Sequence, residues 1–408
     1  MWLAAKLAWR NIFRNKRRTI IAGIAIGVGL ATLIFTDALM LGMKSNMIQS
    51  ATAAYLGEGQ IHHRDFRLTQ DVDKTINSPE EVVTGLEKEV EVDAFTRRAE
   101  SFGMITSAAN LSSVMLVGVD PSGEKILSHV DDNIREGSFF EGDNERDIII
   151  GTGLADLLEA GLDDRVVITV SQAGGGDLCQ EMFRVSGIYH FNIKEMDTGF
   201  AFIRLAKAQE MLGIGSGIHE LALKFKAIEF ASRKNNPFWE KFSDHGNEAV
   251  SWTVLLPQLT AVMRMTWVSL VFMSVLLFGI VAFGIINTLF MSLYERMFEF
   301  GVIRAVGTRP SGVRRLLVFE AGALAALSIA MGTVIGFAVT FIVAKIGIDY
   351  RGIELAGATF YNLLYPQLHP QQFLIYPAAV FLFTLLVGLY PAGVASRMSI
   401  SDALRKSF

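Results

Sequence analysis

Residues with the makings of a catalyst are scarce in this 408-residue chain. His62 and His63 are adjacent, and two imidazoles could begin a metal site. No third ligand follows at a metal-binding interval, so a solvated loop is the simpler reading. The run Gly174-Gly175-Gly176-Asp177 could approach a phosphate, but no lysine or helix start follows suitably, and a hairpin turn accounts for it. Cys179 is the single cysteine, which excludes an internal disulfide, and it has no evident metal partners. There is no nucleophile elbow, no basic nucleic-acid face and no GxxxxGK[ST]; the chain contains no Gly-Lys pair at all. The expectation is a chain without catalytic, cofactor-binding or metal residues. If it does work, another polypeptide supplies the energy.

One stretch stands out for its setting. Residues 295–315 read ERMFEFGVIRAVGTRPSGVRR, with five arginines, three glycines and a proline between two long apolar segments. The composition explains those flanks: 51% hydrophobic, 19% charged and a mean hydropathy of +0.37 are too apolar for an ordinary soluble protein. About 20 apolar residues cross roughly 30 Å of hydrocarbon, and four stretches qualify. They are residues 19–42, 265–294, 316–344 (with Glu320 near one end) and 373–395. Trp267 and Tyr294 bracket the second as interfacial anchors would, and Trp9 suits an amphipathic helix at the inner interface.

Charge orients these spans. Residues 1–18 hold six basic side chains and no acid, whereas residues 43–264 hold 21 basic against 34 acidic. The positive-inside tendency therefore puts residues 1–18, 295–315 and 396–408 in the cytoplasm, and residues 43–260 and 345–372 outside. The first span reads as an uncleaved signal anchor. Residues 43–260 alternate short Val/Ile-rich runs with Gly/Asp turns and helical patterns, which predicts an α+β domain of two subdomains. The predicted fold class is an α-helical membrane protein with four transmembrane helices and a large α+β extracytoplasmic domain inserted between helices 1 and 2.

Four stretches resemble the FtsX-like permeases, the MacB/LolC/LolE class of ABC transporters. They are LAWRNIFRNKRRTIIAGIAIGVG (7–29), YERMFEFGVIRAVGTRPSGVRRLLVFEA (294–321), YPAGVASRMSISDALR (390–405), and the outer segment from SSVMLVGVDP to ALKFK. Within the class, LLYPQLHPQQFLIYP and GIYHFNIKEMDTGFAFIRLAKAQEMLG resemble the lipoprotein-release permeases, while Asp163-Asp164 departs from their usual Gly-Asp. The resemblance implies an inner-membrane permease without a P-loop, working as a homodimer or heterodimer with two copies of an ABC ATPase that bind the ATP and Mg. Its substrate would be a lipoprotein taken from the outer leaflet toward a periplasmic carrier. A LolC-like and a LolE-like role both remain open. So do a MacB-like mechanotransmitter driving efflux of peptides, toxins or antibiotics, and a membrane-anchored sensor.

The resemblance also makes 295–315 a coupling segment lying on the ATPase. Glu295, Glu299 and Arg304 would mark its polar face, Phe298, Val302 and Ile303 would fill a groove, and Gly301 and Gly307 belong to the motif, with Gly307 ending the helix. Extracted acyl chains cost about 0.8 kcal/mol per CH₂ and need apolar shelter. Met40, Met43, Met47, Met263, Met265 and Met273 are adaptable enough to line it, although ordinary gap-filling between helices accounts for them equally well. Gly23, Gly27, Gly332 and Gly336 form small-xxx-small faces for helix packing. Asp37 is expected at the outer interface, and Glu320 either among headgroups or paired with Arg314 and Arg315.

Overall fold

The structure is a computed structural model that describes residue 10 and residues 16–142, 144–191, 193–233, 236–350, 354–355, 358–359 and 363–399. Trp9, Arg14 and the closing Asp402-Ala403-Leu404-Arg405 fall outside those residues. The chain divides into two compact units. One holds Met1–Ser45, Met263–Asp349 and Leu363–Phe408; the other holds Asn46–Val262 and Tyr350–Asn362.

The first unit is built on four helices long and apolar enough to cross a membrane. With no water to satisfy backbone groups in hydrocarbon, a continuous helix is the form such stretches must take. Helix one is Lys16–Ala51, helix two Pro257–Glu295, helix three Pro310–Ile346 and helix four Gln372–Arg397. Helix one thus runs nine residues past the expected end of its span, and helix two begins eight residues before its span. Helix one carries on past its apolar stretch into a π-helical turn, Thr52–Leu56, which Gly57 closes.

The core between these helices holds Ile26, Leu30, Ile34, Ile285, Leu289, Ala321 and Val380. Helices one and three meet backbone to backbone. A Cβ on Gly332 would stand 2.5 Å from the Gly27 carbonyl oxygen, and one on Gly336 would stand 3.1 Å from the Cα of Ala31. Gly23 faces Ser328 more loosely, at 3.6 Å from its Oγ. Small residues are what allow such an approach where lipid supplies no hydrophobic driving force.

The second unit carries a ten-stranded mixed sheet: β1 Gly59–His63, β2 Val92–Thr106, β3 Leu111–Val119, β4 Ile134–Gly137, β5 Asp147–Gly151, β6 Arg165–Ser171, β7 Leu178–Tyr189, β8 Phe200–Arg204, β9 Glu220–Phe225 and β10 Asn247–Ser251. The hydrogen-bonded order is β10-β1-β9-β2-β3-β8-β5-β7-β4, with β6 bridging β2 and β7. The two expected subdomains therefore share one continuous sheet. The strand that joins them is β2: its first half pairs with β9 and its second half with β6. Its fifteen residues run unbroken from one neighbourhood into the other and are buried on both faces over residues 98–101, where the two meet.

His62 corrects an expectation. It lies on β1, opposite Glu248 of β10, and it is buried, not solvated. β1 is paired on both edges, with β9 and β10, and four successive residues of it, His62 included, are buried whichever face they point to. The Gly-rich run does form the turn between β6 and β7, with Gly174 at φ 79° and Gly176 at φ 73°.

Candidate functional site

The foot of the membrane unit is a short helix, Met297–Ala305, set off from helix two by a break at Arg296 (φ −113°, ψ 15°). Gly307 at φ 108° closes it: Gly307 N–H donates to the Arg304 carbonyl at 3.0 Å, and Thr308 N–H to the Ile303 carbonyl at 3.1 Å. That pair of bonds is the Schellman arrangement, which needs a left-handed residue and so favours glycine. Pro310 then opens helix three at its first turn, where its missing N–H costs nothing.

The foot has two apolar faces. Met297, Phe300 and Gly301 turn inward; Phe300 joins Leu293, Val313, Leu317 and Ala392 in a small core. Phe298, Val302, Ile303 and Val306 turn outward, Phe298 being 51% and Val306 84% exposed. Of the polar residues, Glu299 accepts from Arg296 at 2.9 Å, Arg304 donates to the Met398 carbonyl, and Glu295 is exposed.

Arg296 ties this foot to the spans. Its Nη1 meets Glu320 Oε2 at 3.0 Å, Ser292 Oγ donates to Glu320 Oε1 at 3.0 Å, and the guanidinium lies 4.9 Å from the Phe300 ring centroid. Arg296 and Glu320 are both buried. The expected pairing of Glu320 with Arg314 and Arg315 gives way to this one. Glu320 is one turn too far into helix three to share their exposed face, and the end of helix two stands directly opposite.

The methionines separate. Met47 is buried, Met40, Met43 and Met263 are half-buried, and Met265 and Met273 are exposed. Met47 therefore presents no free surface to an acyl chain, whereas Met265 and Met273 do.

Sequence reasoning missed a second constellation, inside the second unit, which holds the expected outer segment and is called the outer unit. Helix one passes into a π-helical turn, Thr52–Leu56, which carries Tyr55. Arg98, on β2, is fully buried opposite Glu220 of β9. Its Nη2 and Nε bond Glu124 at 2.6 and 3.1 Å, its Nη1 bonds Glu220 at 2.7 Å, and its Nη2 also bonds the Tyr55 carbonyl at 2.7 Å. The guanidinium stacks 3.9 Å from the Tyr55 ring centroid, and the Tyr55 hydroxyl donates to Glu100. Three buried carboxylates thus surround one cation. Burial first, and the Glu100 charge next, push Glu220 up to about 8; burial likewise raises Glu100.

His219 supports this cluster. Its Nδ1 accepts from the Glu100 N–H at 3.0 Å, and its Nε2 faces the Val72 carbonyl at 2.9 Å. Burial pushes this imidazole down, toward the neutral form that the two bonds suit. The only signal available earlier was the alternation of β2, which sets Thr96, Arg98 and Glu100 on one face.

The same unit leaves one sheet face bare. Leu111, Thr106, Val167 and Met182 stand opposite one another across β3, β2, β6 and β7. Phe102, Met104, Leu111, Leu178 and Met182 are all exposed there, while the reverse side packs Ile105, Ile168 and Phe183 into the core.

Residues 19–229 match the MacB-like periplasmic core domain and residues 271–400 the FtsX-like permease C-terminal domain. The chain belongs to the FtsX-like, MacB-type permeases of ABC transporters. Among its relatives, it is 20% identical to the lipoprotein-releasing system transmembrane protein LolE of Haemophilus influenzae over 98% of each chain. It is 23% identical to LolC of Xylella fastidiosa, over 94% of this chain and 92% of that one. The periplasmic region of MacB from Actinobacillus actinomycetemcomitans aligns with 48% of this chain and 89% of that structure, at 11% identity and a TM-score of 0.34.

Proposed function

We propose that this permease couples ATP hydrolysis by a separate ATPase to the extraction of lipid-anchored proteins from the membrane. The observation that carries the reading is layout: the chain corresponds from end to end, over 94–98% of its length, to lipoprotein-releasing permeases. In this reading the foot seats on the ATPase through Phe298, Val302, Ile303 and Val306. Arg296, bonded at once to the foot and to Glu320 of helix three, carries its motion into the spans. Two permeases, alike or different, would enclose the acyl chains, with Met265 and Met273 among the residues they meet. The bare sheet face of the outer unit would serve a carrier, because acyl chains leaving the bilayer lose about 0.8 kcal/mol per CH₂ without cover.

Depleting the protein and fractionating membranes tests the substrate. Lipoproteins should accumulate in the inner membrane; unchanged sorting rejects the reading. The coupling surface has its own test. Phe298→Glu combined with Val302→Glu puts two charges on the outward apolar face and should reduce co-purified ATPase by about tenfold or more, since each buried apolar side chain is worth about 1.5–3 kcal/mol. An ATPase retained in full would place the docking surface elsewhere.

A further inference from the structure

Asp37 opens into a pocket of about 360 Å³ that Leu41, His369, Gln372, Ile375 and Tyr376 also line. The pocket is built, not incidental. Gln367 N–H donates to the Ala38 carbonyl at 2.9 Å, and a Cβ on Gly42 would fall 2.2 Å from the Tyr365 carbonyl oxygen, so the loop before helix four is pressed onto helix one. His369 N–H donates to Gln372 Oε1 at 3.1 Å, which turns the Gln372 amide so that its Nε2 donates to Asp37 at 2.8 Å. The Tyr376 hydroxyl hydrogen-bonds the same carboxylate. Among the described residues, the lining contains no lysine or arginine. Two neutral donors orient a carboxylate that no lysine or arginine of the lining pairs, His369 being the one ionisable base among the described lining residues.

Its depth is that of a headgroup. Asp37 stands about 27 Å along the helix from Thr19, close to the thickness of the hydrocarbon layer. Ile375 on the wall is 58% exposed and Leu374 beside it 73%, so the pocket adjoins surface that acyl chains would cover.

We propose that this pocket binds the primary ammonium group of a membrane lipid of the ethanolamine type. An ammonium brings three N–H donors to the Asp37 carboxylate, while the apolar walls accept the carbons beside it. A trimethylammonium group has no N–H to donate, and an anionic headgroup meets a like charge. A lysine side chain of a polypeptide has the same chemistry, but the apolar surface beside the pocket favours the lipid.

The test is native mass spectrometry of the purified permease in detergent, titrated with phosphatidylethanolamine, phosphatidylcholine and phosphatidylglycerol of matched chains. Wild type should retain the ethanolamine lipid about tenfold more tightly than either other lipid, a difference of about 1.4 kcal/mol. Asp37→Asn, which preserves the shape, should erase that preference. Ile375→Trp, which narrows the pocket but keeps the carboxylate, should lower ethanolamine-lipid retention with Asp37 intact. Equal retention of the three lipids by wild type, or an unchanged preference in Asp37→Asn, overturns the proposal. So does displacement of the lipid by an equimolar lysine-bearing peptide, which would assign the pocket to a polypeptide.

Discussion

At pH 8.5, where Glu220 is largely ionised, Arg98→Met should destabilise the outer unit by about 3–5 kcal/mol, because removing one member of a buried ion cluster leaves its counter-charges without compensation. Among the described residues, Arg98 is the only cation bonded to Glu124 and Glu220, and it also holds the Tyr55 carbonyl. Methionine nearly fills the volume, so loss of packing contributes little and the stranded carboxylates dominate. Chemical denaturation of the full-length protein, followed by tryptophan fluorescence, would read the change. A loss below about 1 kcal/mol would mean that the cluster is no better than an exposed pair.

The same cluster makes stability depend on pH. Glu220 has a folded-state pKa of about 8 against an ordinary 4.5, so between those values the folded chain holds the extra proton. Unfolding free energy then falls as pH rises through that window. The outer unit should accordingly melt at a higher temperature at pH 5.5 than at pH 8.5, and Glu220→Gln should flatten the difference. The penalty of Arg98→Met should also shrink at the lower pH, where the abandoned carboxylates can neutralise. A wild-type melting temperature that rises with pH across this range would contradict the assignment.

Glu320→Ala is expected to cost the membrane unit about 3 kcal/mol, the low end for a broken buried pair, because Arg296 keeps its half-exposed contact with Glu299. The loss would come from a buried guanidinium left with an unused Nη1, and from Ser292, whose hydroxyl donates to Glu320. Replacing both members, with Arg296→Met and Glu320→Leu, should recover most of the thermal stability in detergent, since an apolar pair avoids desolvating two charges. If the proposed coupling is right, that stable double variant should still uncouple ATP hydrolysis from release. The foot would remain folded, yet its charged link to helix three would be gone. Full coupling in the double variant would confine the pair to a structural role.

Much of the membrane unit was legible beforehand because hydrocarbon imposes a one-dimensional rule. A charge-free run of sufficient length has a single satisfactory conformation, and Gly-xxx-Gly periodicity marks the side on which another helix can come close. The foot was legible for a related reason: its outward Phe298, Val302 and Ile303 follow from helical spacing and the Gly307 stop. The Arg98 cluster was not. Tyr55, Arg98, Glu124 and Glu220 lie far apart along the chain, and each alone reads as an ordinary surface residue.

The placement of Glu320 shows the same limit on a smaller scale. Its neighbours in sequence, Arg314 and Arg315, offered a partner, but the partner in space is Arg296, across a helix break. The Asp37 pocket needed the loop before helix four to fold back on helix one. His62 needed β10 beside it to become buried. The sequence by itself determined the four apolar helices, the strand-forming outer segment and the helix stop at Gly307, because length, hydropathy and periodicity act locally along a chain. Only the tertiary structure decided which charges are paired, which are buried and which face a cavity. Those outcomes depend on desolvation and on distances of a few ångströms between residues whose separation in sequence carries no such information.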